Sequence, residues 1–145
     1  MTLITLILGY EKAAHPNSKR DDGAVEIQIG ITPLSLSVDE ENSVLNSHLW
    51  LALAWQDKRL IWDNREHQNV SKVHISPENI WKPDVRLFNS VTHEDYEDTD
   101  VIVYNSGQLF WVPPLTAHTT CQVWLISLKV FIYLIFFKLS SLITG

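Results

Sequence analysis

Two groups of side chains in this 145-residue chain have the types that hold metals. His67 and His74 stand seven residues apart, with Asp63 and Glu66 nearby. Imidazoles and carboxylates bind zinc, but this spacing matches no established ligand pattern, and polar loop residues are mostly just solvated. The run Glu94-Asp95-Tyr96-Glu97-Asp98-Thr99-Asp100 gathers five carboxylates in seven residues. That oxygen density suits calcium, yet the Gly and closing Glu of an EF-hand loop are missing, so a solvated acidic loop is the expectation. There is no GxSxG, glycine-rich phosphate loop, HExxH or Cys/His pair. The residues therefore predict a chain that is not an enzyme and holds neither metal nor cofactor. Asn69-Val70-Ser71 forms an N-glycosylation sequon, meaningful where a chain enters the secretory route.

The aromatic set points to different chemistry. Trp50, Trp55, Trp62, Trp81, Phe88, Phe110 and Trp111 are spread over five strand-like segments. Core packing accounts best for Trp55, Trp62 and Trp81. The alternative for such rings is a box for an organic cation, since indole faces carry negative potential and quaternary ammonium groups are recognised through it at ~0.5–2 kcal/mol per contact. Composition leaves that choice open.

These residues must be positioned by a β-rich scaffold. Val25, Ile27, Ile29 and Ile31 alternate with Glu26, Gln28, Gly30 and Thr32, the pattern of a half-buried strand. A longer extended stretch covers 43–55, with Trp50, Ala52 and Ala54 opposite Leu49, Leu51, Leu53 and Trp55. Shorter strands are predicted at 59–62, 72–75 and 85–88. Two more, at 101–104 and 108–112, flank the loop Asn105-Ser106-Gly107, where Gly supplies a positive φ. Short strands without intervening helices indicate an antiparallel sandwich. Residues 1–14 read as a short amphipathic helix ended by His15-Pro16. A signal peptide is the rival reading, but a basic n-region is missing.

Charge divides the chain. Residues 1–121 hold nine basic and all seventeen acidic side chains, a net of −8. Residues 122–145 hold Lys129 and Lys138, no acid, and sixteen apolar residues out of 24. The acidic balance argues against a nucleic-acid partner. The tail from about 123 to 143 is long enough to cross a ~30 Å hydrocarbon core and is predicted as a transmembrane segment. Lys129 is the residue opposing that reading. A single cysteine, Cys121, leaves no intramolecular disulfide.

Order and spacing of the motifs decide among the aromatic readings. The run VDEENSVLNSHLWLALAWQDKRLIW (38–62), then ISPENIWKPDVRLFNS (75–90), GQLFWVPP (107–114) and Cys121 resembles the extracellular ligand-binding domain of nicotinic-type Cys-loop receptor subunits. The likeness covers roughly residues 5–121 and favours the cation-selective, acetylcholine-type branch. It implies a β-sandwich with an N-terminal helix, assembled as a pentamer whose agonist sites lie between subunits. It also implies that Trp50 takes the loop D position and Ile102, Phe110 and Val112 take loop E positions of the complementary face. Phe88 takes the loop A position of the principal face, where acetylcholine-binding subunits usually carry tyrosine. Asp57, Pro83 and Asp84, with Trp55, Trp62 and Trp81, match residues that hold the sandwich together. Cys121 matches the first cysteine of the signature loop, whose partner does not follow in this sequence.

The resemblance thus implies an incomplete, mainly β ligand-binding domain over 1–121 followed by a hydrophobic tail over 122–145. Its expected role is a fragment of a neurotransmitter-gated, acetylcholine-type channel subunit lacking the pore. Its partners would be an acetylcholine-like cation and other receptor subunits, and its place the extracellular side of a cell-surface or synaptic membrane. The second reading is a soluble acetylcholine-binding-protein-like module or a truncated isoform that interferes with assembly. A generic adhesion or carbohydrate-binding sandwich is a third, and the WxD, WxPD and WxPP set argues against it.

Overall fold

The computed structural model describes residues 8–16, 24–92, 95–97 and 99–120. Its architecture is mainly antiparallel β, as expected. Seven strands form one connected sheet: β1 (Ile27–Asp39), β2 (Val44–Ile61), β3 (Lys72–Ile75), β4 (Asp95–Tyr96), β5 (Val101–Tyr104), β6 (Ser106–Trp111) and β7 (Pro114–Thr120). The 18-residue β2 is its spine. One edge of β2 pairs with β1 from Ile27↔Trp55 to Asp39↔Val44. The other edge pairs first with β7, from Val44↔Thr120 to Trp50↔Pro114, and then with β6, from Leu53↔Trp111 to Gln56↔Gln108. Strands β6 and β7 are therefore two stretches of one path along β2, interrupted at Val112-Pro113, where the Pro113 carbonyl accepts from the Leu51 N–H at 3.1 Å. Beyond β6 lie β5 and then β3; beyond β7 lies β4.

Alternation explains which side of this sheet is the core. Leu51, Leu53 and Trp55 of β2 face the same way as Val73, Ile75, Val101, Val103, Leu109, Trp111, Leu115 and Ala117, and all are buried. The residues between them are half-buried or exposed. Pleating places alternate side chains on opposite faces, so this polarity pins each register; a one-residue slip would turn the whole apolar set outward. Segment 76–92 packs on the core face, with Ile80 and Pro83 buried and Trp81, Val85 and Leu87 packed against the core cluster.

Several expectations need correction. The strand ending near Thr32 continues to Asp39, with a register shift between Pro33 and Ser35. The strands at 43–55 and 59–62 are one, because pairing resumes at Ile61↔Ser106. Residues 85–88 form no ladder: Ser90 donates to the Leu87 carbonyl at 3.3 Å, turning the chain at Phe88. Strand β7 went unpredicted because its outward residues are Thr, His and Thr and its inward ones include only one large apolar side chain. The described part of the expected helix, 8–14, is turn, with Gly9 at φ +96°. Residues 1–7 of that helix, Cys121 and the tail 122–145 lie outside the described residues. Among the described residues no helix is long and apolar enough to cross a membrane.

A buried ion pair fastens the ends of these elements. Asp57 is fully buried at the far end of β2. Its carboxylate accepts from Arg59 Nε at 2.9 Å, Arg59 Nη2 at 2.7 Å and the Tyr10 hydroxyl at 2.8 Å. The Arg59 guanidinium lies 4.3 Å from the Tyr10 ring centroid and also donates to the carbonyls of Glu11 (3.0 Å) and Ala14 (2.8 Å). Tyr10 in turn accepts from the Trp81 N–H at 3.0 Å. Burial pushes the Asp57 carboxyl up, but the Arg59 and Tyr10 hydrogen bonds outweigh it and hold the group below its ordinary value. Burial, reinforced by Asp57, pushes the Tyr10 hydroxyl up.

Two outcomes follow from this junction. A carboxyl held low in the folded state contributes stability that is complete above its unfolded value, near 3.9, and is lost as pH falls through the folded value. Urea midpoints should therefore hold steady between neutral pH and about pH 5 and fall below about pH 4. Asp57→Asn should cost about 3 kcal/mol at neutral pH and flatten that acid limb. Gly107 sits in β6 at φ +80°, and a Cβ there would meet the Asp57 carbonyl oxygen and Ile61 Cγ1 at 2.7 Å. Gly107→Ala should cost about 2 kcal/mol or more in the same titration, since both the conformation and the backbone contact oppose it.

Candidate functional site

The outward face of the sheet carries the residues assigned to ligand recognition. On β2, Trp50, Ala52 and Ala54 share this face because Leu51 and Leu53 point into the core. Register then brings their neighbours alongside. Trp50 lies between Thr32 of β1 and Pro114 of β7. Ala54 lies between Gln28 of β1 and Phe110 of β6, and Phe110 is in turn opposite Ile102 of β5. Val112 follows Trp111, whose partner is Leu53, so it stands at the Ala52 level where β6 passes into β7. The four positions Trp50, Ile102, Phe110 and Val112, far apart in sequence, are thus gathered on one surface.

That surface has a definite physical character. Trp50 is 38% exposed and Phe110 39%, so each ring retains an accessible face. Between them the β2 positions are only alanines, and Ala52 faces Gly30, so the floor is low. Four steps along β2 separate the two aromatic levels, about 13 Å at strand rise. The neighbours Gln28, Thr32, Val112 and Pro114 carry no charge, whereas Ile102 stands opposite His74 of β3, with Lys72 opposite Tyr104 beyond it. Exposed ring faces such as those of Trp50 and Phe110 suit an organic cation through the ring quadrupole. The protein uses the same interaction internally, where Lys82 Nζ stands 4.9 Å from the Trp111 ring centroid.

Phe88 is not part of this surface. It is 82% exposed on a turn tied to the far end of β7, where Thr120 donates to the Asn89 carbonyl at 3.0 Å and Ser90 bridges to Thr119. Thr120 is six residues from Pro114, about 20 Å along the strand. Phe88 and Trp50 therefore cannot close on one small ligand within this chain.

The remaining assigned residues take varied places. Trp55 is buried and makes an edge-to-face contact with Trp81, 6.3 Å between centroids. Trp62 is buried, and its indole N–H donates to the Val70 carbonyl at 2.8 Å. Pro83 is buried in the segment that crosses the core. Asp84, assigned to holding the sandwich together, has a side chain 79% exposed that pairs with Arg86 at 3.0 Å. Asn69 is exposed, in a left-handed conformation (φ 59°), just after the 3-10 turn Asn64–His67. Among the described residues no group of three or more His, Cys, Asp or Glu is placed to hold a metal. The residues missed from sequence are Tyr10 and Arg59. The available signal was Asp57-x-Arg59, a two-residue spacing that puts opposite charges on one side of an extended chain.

Comparison with known proteins gives the family of the chain. The family described as the neurotransmitter-gated ion-channel ligand binding domain matches residues 2–130. The acetylcholine receptor subunit beta-type lev-1 of Caenorhabditis elegans is 31% identical over 125 residues, covering 83% of this chain and 24% of the relative. The acetylcholine receptor subunit beta-like 1 of Drosophila melanogaster is 31% identical, covering 81% and 23%. The acetylcholine receptor subunit alpha-type acr-16 of Caenorhabditis briggsae is 33% identical, covering 81% and 24%. The chain spans about a quarter of the length of these relatives. With a match over most of its length, and a sheet that gathers the expected rings on one face, the chain belongs to the family of neurotransmitter-gated ion-channel ligand-binding domains.

Proposed function

We propose that this chain supplies the complementary face of an agonist site for an acetylcholine-like organic cation, formed against a neighbouring subunit of a pentameric receptor on the extracellular side of a membrane. The observation that carries this reading is the strand register. It sets Trp50, Phe110, Ile102 and Val112 on one outward surface, with the two rings partly exposed. That surface is flat and offers one wall, so a second subunit must provide the other. Phe88 lies too far away to do so from the same chain, and it belongs to the opposite, principal side. Membrane attachment is a property of the parent subunit in this reading. The exposed Asn69 sequon is read as a glycan acceptor on the lumenal side.

The ligand is held by charge against ring rather than by ion pairing, so removing one ring should cost a definite amount. In membranes from cells expressing this chain together with acetylcholine receptor subunits, Trp50→Ala should weaken carbamoylcholine binding by ~1–3 kcal/mol, about 5- to 150-fold. Trp50→Phe, which keeps a weaker ring, should lose less. Unchanged affinity in Trp50→Ala would remove Trp50 from the site.

A further inference from the structure

The outward face of β2 and β7 carries a second group of side chains, towards the β1–β2 turn from Trp50. Alternation turns Asn46 and His48 of β2 outward, on either side of the buried Ser47. On β7 it does the same for Thr116 and His118, on either side of the buried Ala117. The antiparallel register sets His48 opposite Thr116 and Asn46 opposite His118. The two imidazoles are therefore diagonal neighbours across one strand pair, about 7–8 Å apart at the backbone. His48 is exposed and His118 half-buried. On the other edge of β2 their levels are occupied by Ser35 and Ser37, so β1 brings no cation to the pair.

Each ring spends one nitrogen on the facing strand. His118 Nδ1 lies 2.6 Å from Asn46 Oδ1, and His48 Nδ1 lies 3.1 Å from Thr116 Oγ1. An amide oxygen only accepts, so His118 Nδ1 carries the proton and, in the neutral ring, Nε2 keeps its lone pair. The Thr116 hydroxyl can accept in the same way and give His48 the same tautomer. Neither Nε2 has a hydrogen-bond partner among the described residues. Metal-ligating histidines are held like this, with one ring nitrogen fixed by an acceptor and the other offered to the ion. Two Nε2 atoms sharing one zinc at 2.0–2.1 Å stand about 3.4 Å apart, a separation that rings converging from diagonal positions can reach. His74 and His67 have no such companion in register: His74 lies opposite Ile102, and His67 ends the 3-10 turn.

We propose that His48 and His118 form a two-imidazole site for a borderline divalent transition-metal ion, zinc above all, on the outward face of β2 and β7. Water completes the coordination, so the ion is exchangeable, unlike the fully protein-ligated zinc of a structural centre. Imidazole suits zinc, whereas calcium and magnesium prefer oxygen ligands. Asn46 is a positioning residue that acts through His118. The bound ion ties β7 to the spine strand. The site needs neither Trp50 nor a second subunit, so it stands apart from the agonist-site reading.

Titration of the full chain with zinc chloride, followed through the nitrogen resonances of its imidazoles, tests the proposal. The Nε2 signals of His48 and His118 should move together and saturate at one equivalent, and calcium chloride should leave both in place. Movement of only one of the two rings, movement confined to the other histidines, or an equal response to calcium would overturn it. Calorimetry of variants gives a second arm. His48→Gln and His118→Gln should each weaken zinc binding about tenfold or more. Asn46→Ala, which keeps both rings, should also weaken it about tenfold, whereas Asn46→Asp, which keeps an acceptor oxygen, should not. Unchanged affinity in either glutamine variant would overturn the site, and equal affinities of Asn46→Ala and Asn46→Asp would overturn the role of Asn46. If a variant fails to fold, the resonances of the unmodified chain decide alone.

Discussion

The buried pair of Asp57 and Arg59 is the contact on which the arrangement rests. A fully buried carboxylate is tolerable only when its oxygens are occupied, and here four hydrogen bonds from two residues, Arg59 and Tyr10, do so. The two donor residues belong to different constraints. Arg59 continues β2, Tyr10 brings in the N-terminal segment, and the Tyr10 oxygen carries the restraint on to the Trp81 backbone. Segment 76–92 is thereby held against the core at its first turn. The carbonyl of the same Asp57 presses on Gly107, and Gln56 beside it donates to the Ser106 carbonyl at 2.7 Å. The hairpin that sets Phe110 opposite Ile102 is therefore braced by the residues that anchor the N-terminus. The recognition surface and the fastening of the fold share one junction.

Legibility from sequence followed the range of the forces involved. Strands β2, β3, β5 and β6 were readable because pleating converts a buried face into alternation over neighbouring residues. The turn between β5 and β6 was readable, but not its length: Ser106 and Gly107 lie within β6, where a positive φ and the approach of the Asp57 carbonyl require glycine at 107. Trp50, Ile102, Phe110 and Val112 came from motif resemblance; their convergence is a matter of register, which no single segment contains. Strand β7 was not legible, since Thr, His and Thr on its outer face look like loop until β2 is laid beside them. Tyr10 lies 47 residues from Asp57, so its hydroxyl had no sequence signal. Asp84 shows that a residue inside a strongly recognised motif can have an exposed side chain paired with a near neighbour, Arg86.

The aromatic side chains divide by face and not by type. Trp55, Trp62 and Trp111 are buried, and two of them spend their indole N–H on a backbone carbonyl, at 2.8 Å to Val70 and 3.0 Å to Thr99. Trp55 is the exception, with its N–H buried and without a hydrogen-bond partner among the described residues. Trp50 and Phe110 occupy the other parity of the same strands and are left open. One strand, β2, thus builds the core with Leu51, Leu53 and Trp55 and presents Trp50 to a ligand with the residues between.

The irregularity in β1 bears on association. β1 borders the sheet, with β2 its only strand partner among the described residues, so its outer backbone groups form a free rim thirteen residues long without a single lysine. Such a rim is a template on which a foreign strand could lengthen the sheet without limit. Pro33 offers no N–H to that newcomer, and the shift between Pro33 and Ser35 turns the rim out of line. An incoming strand finds regular backbone only along Ile27–Thr32 before its pairing fails. Pro33, lacking an N–H, thus interrupts regular pairing along a border whose one charged residue is Asp39, at its end.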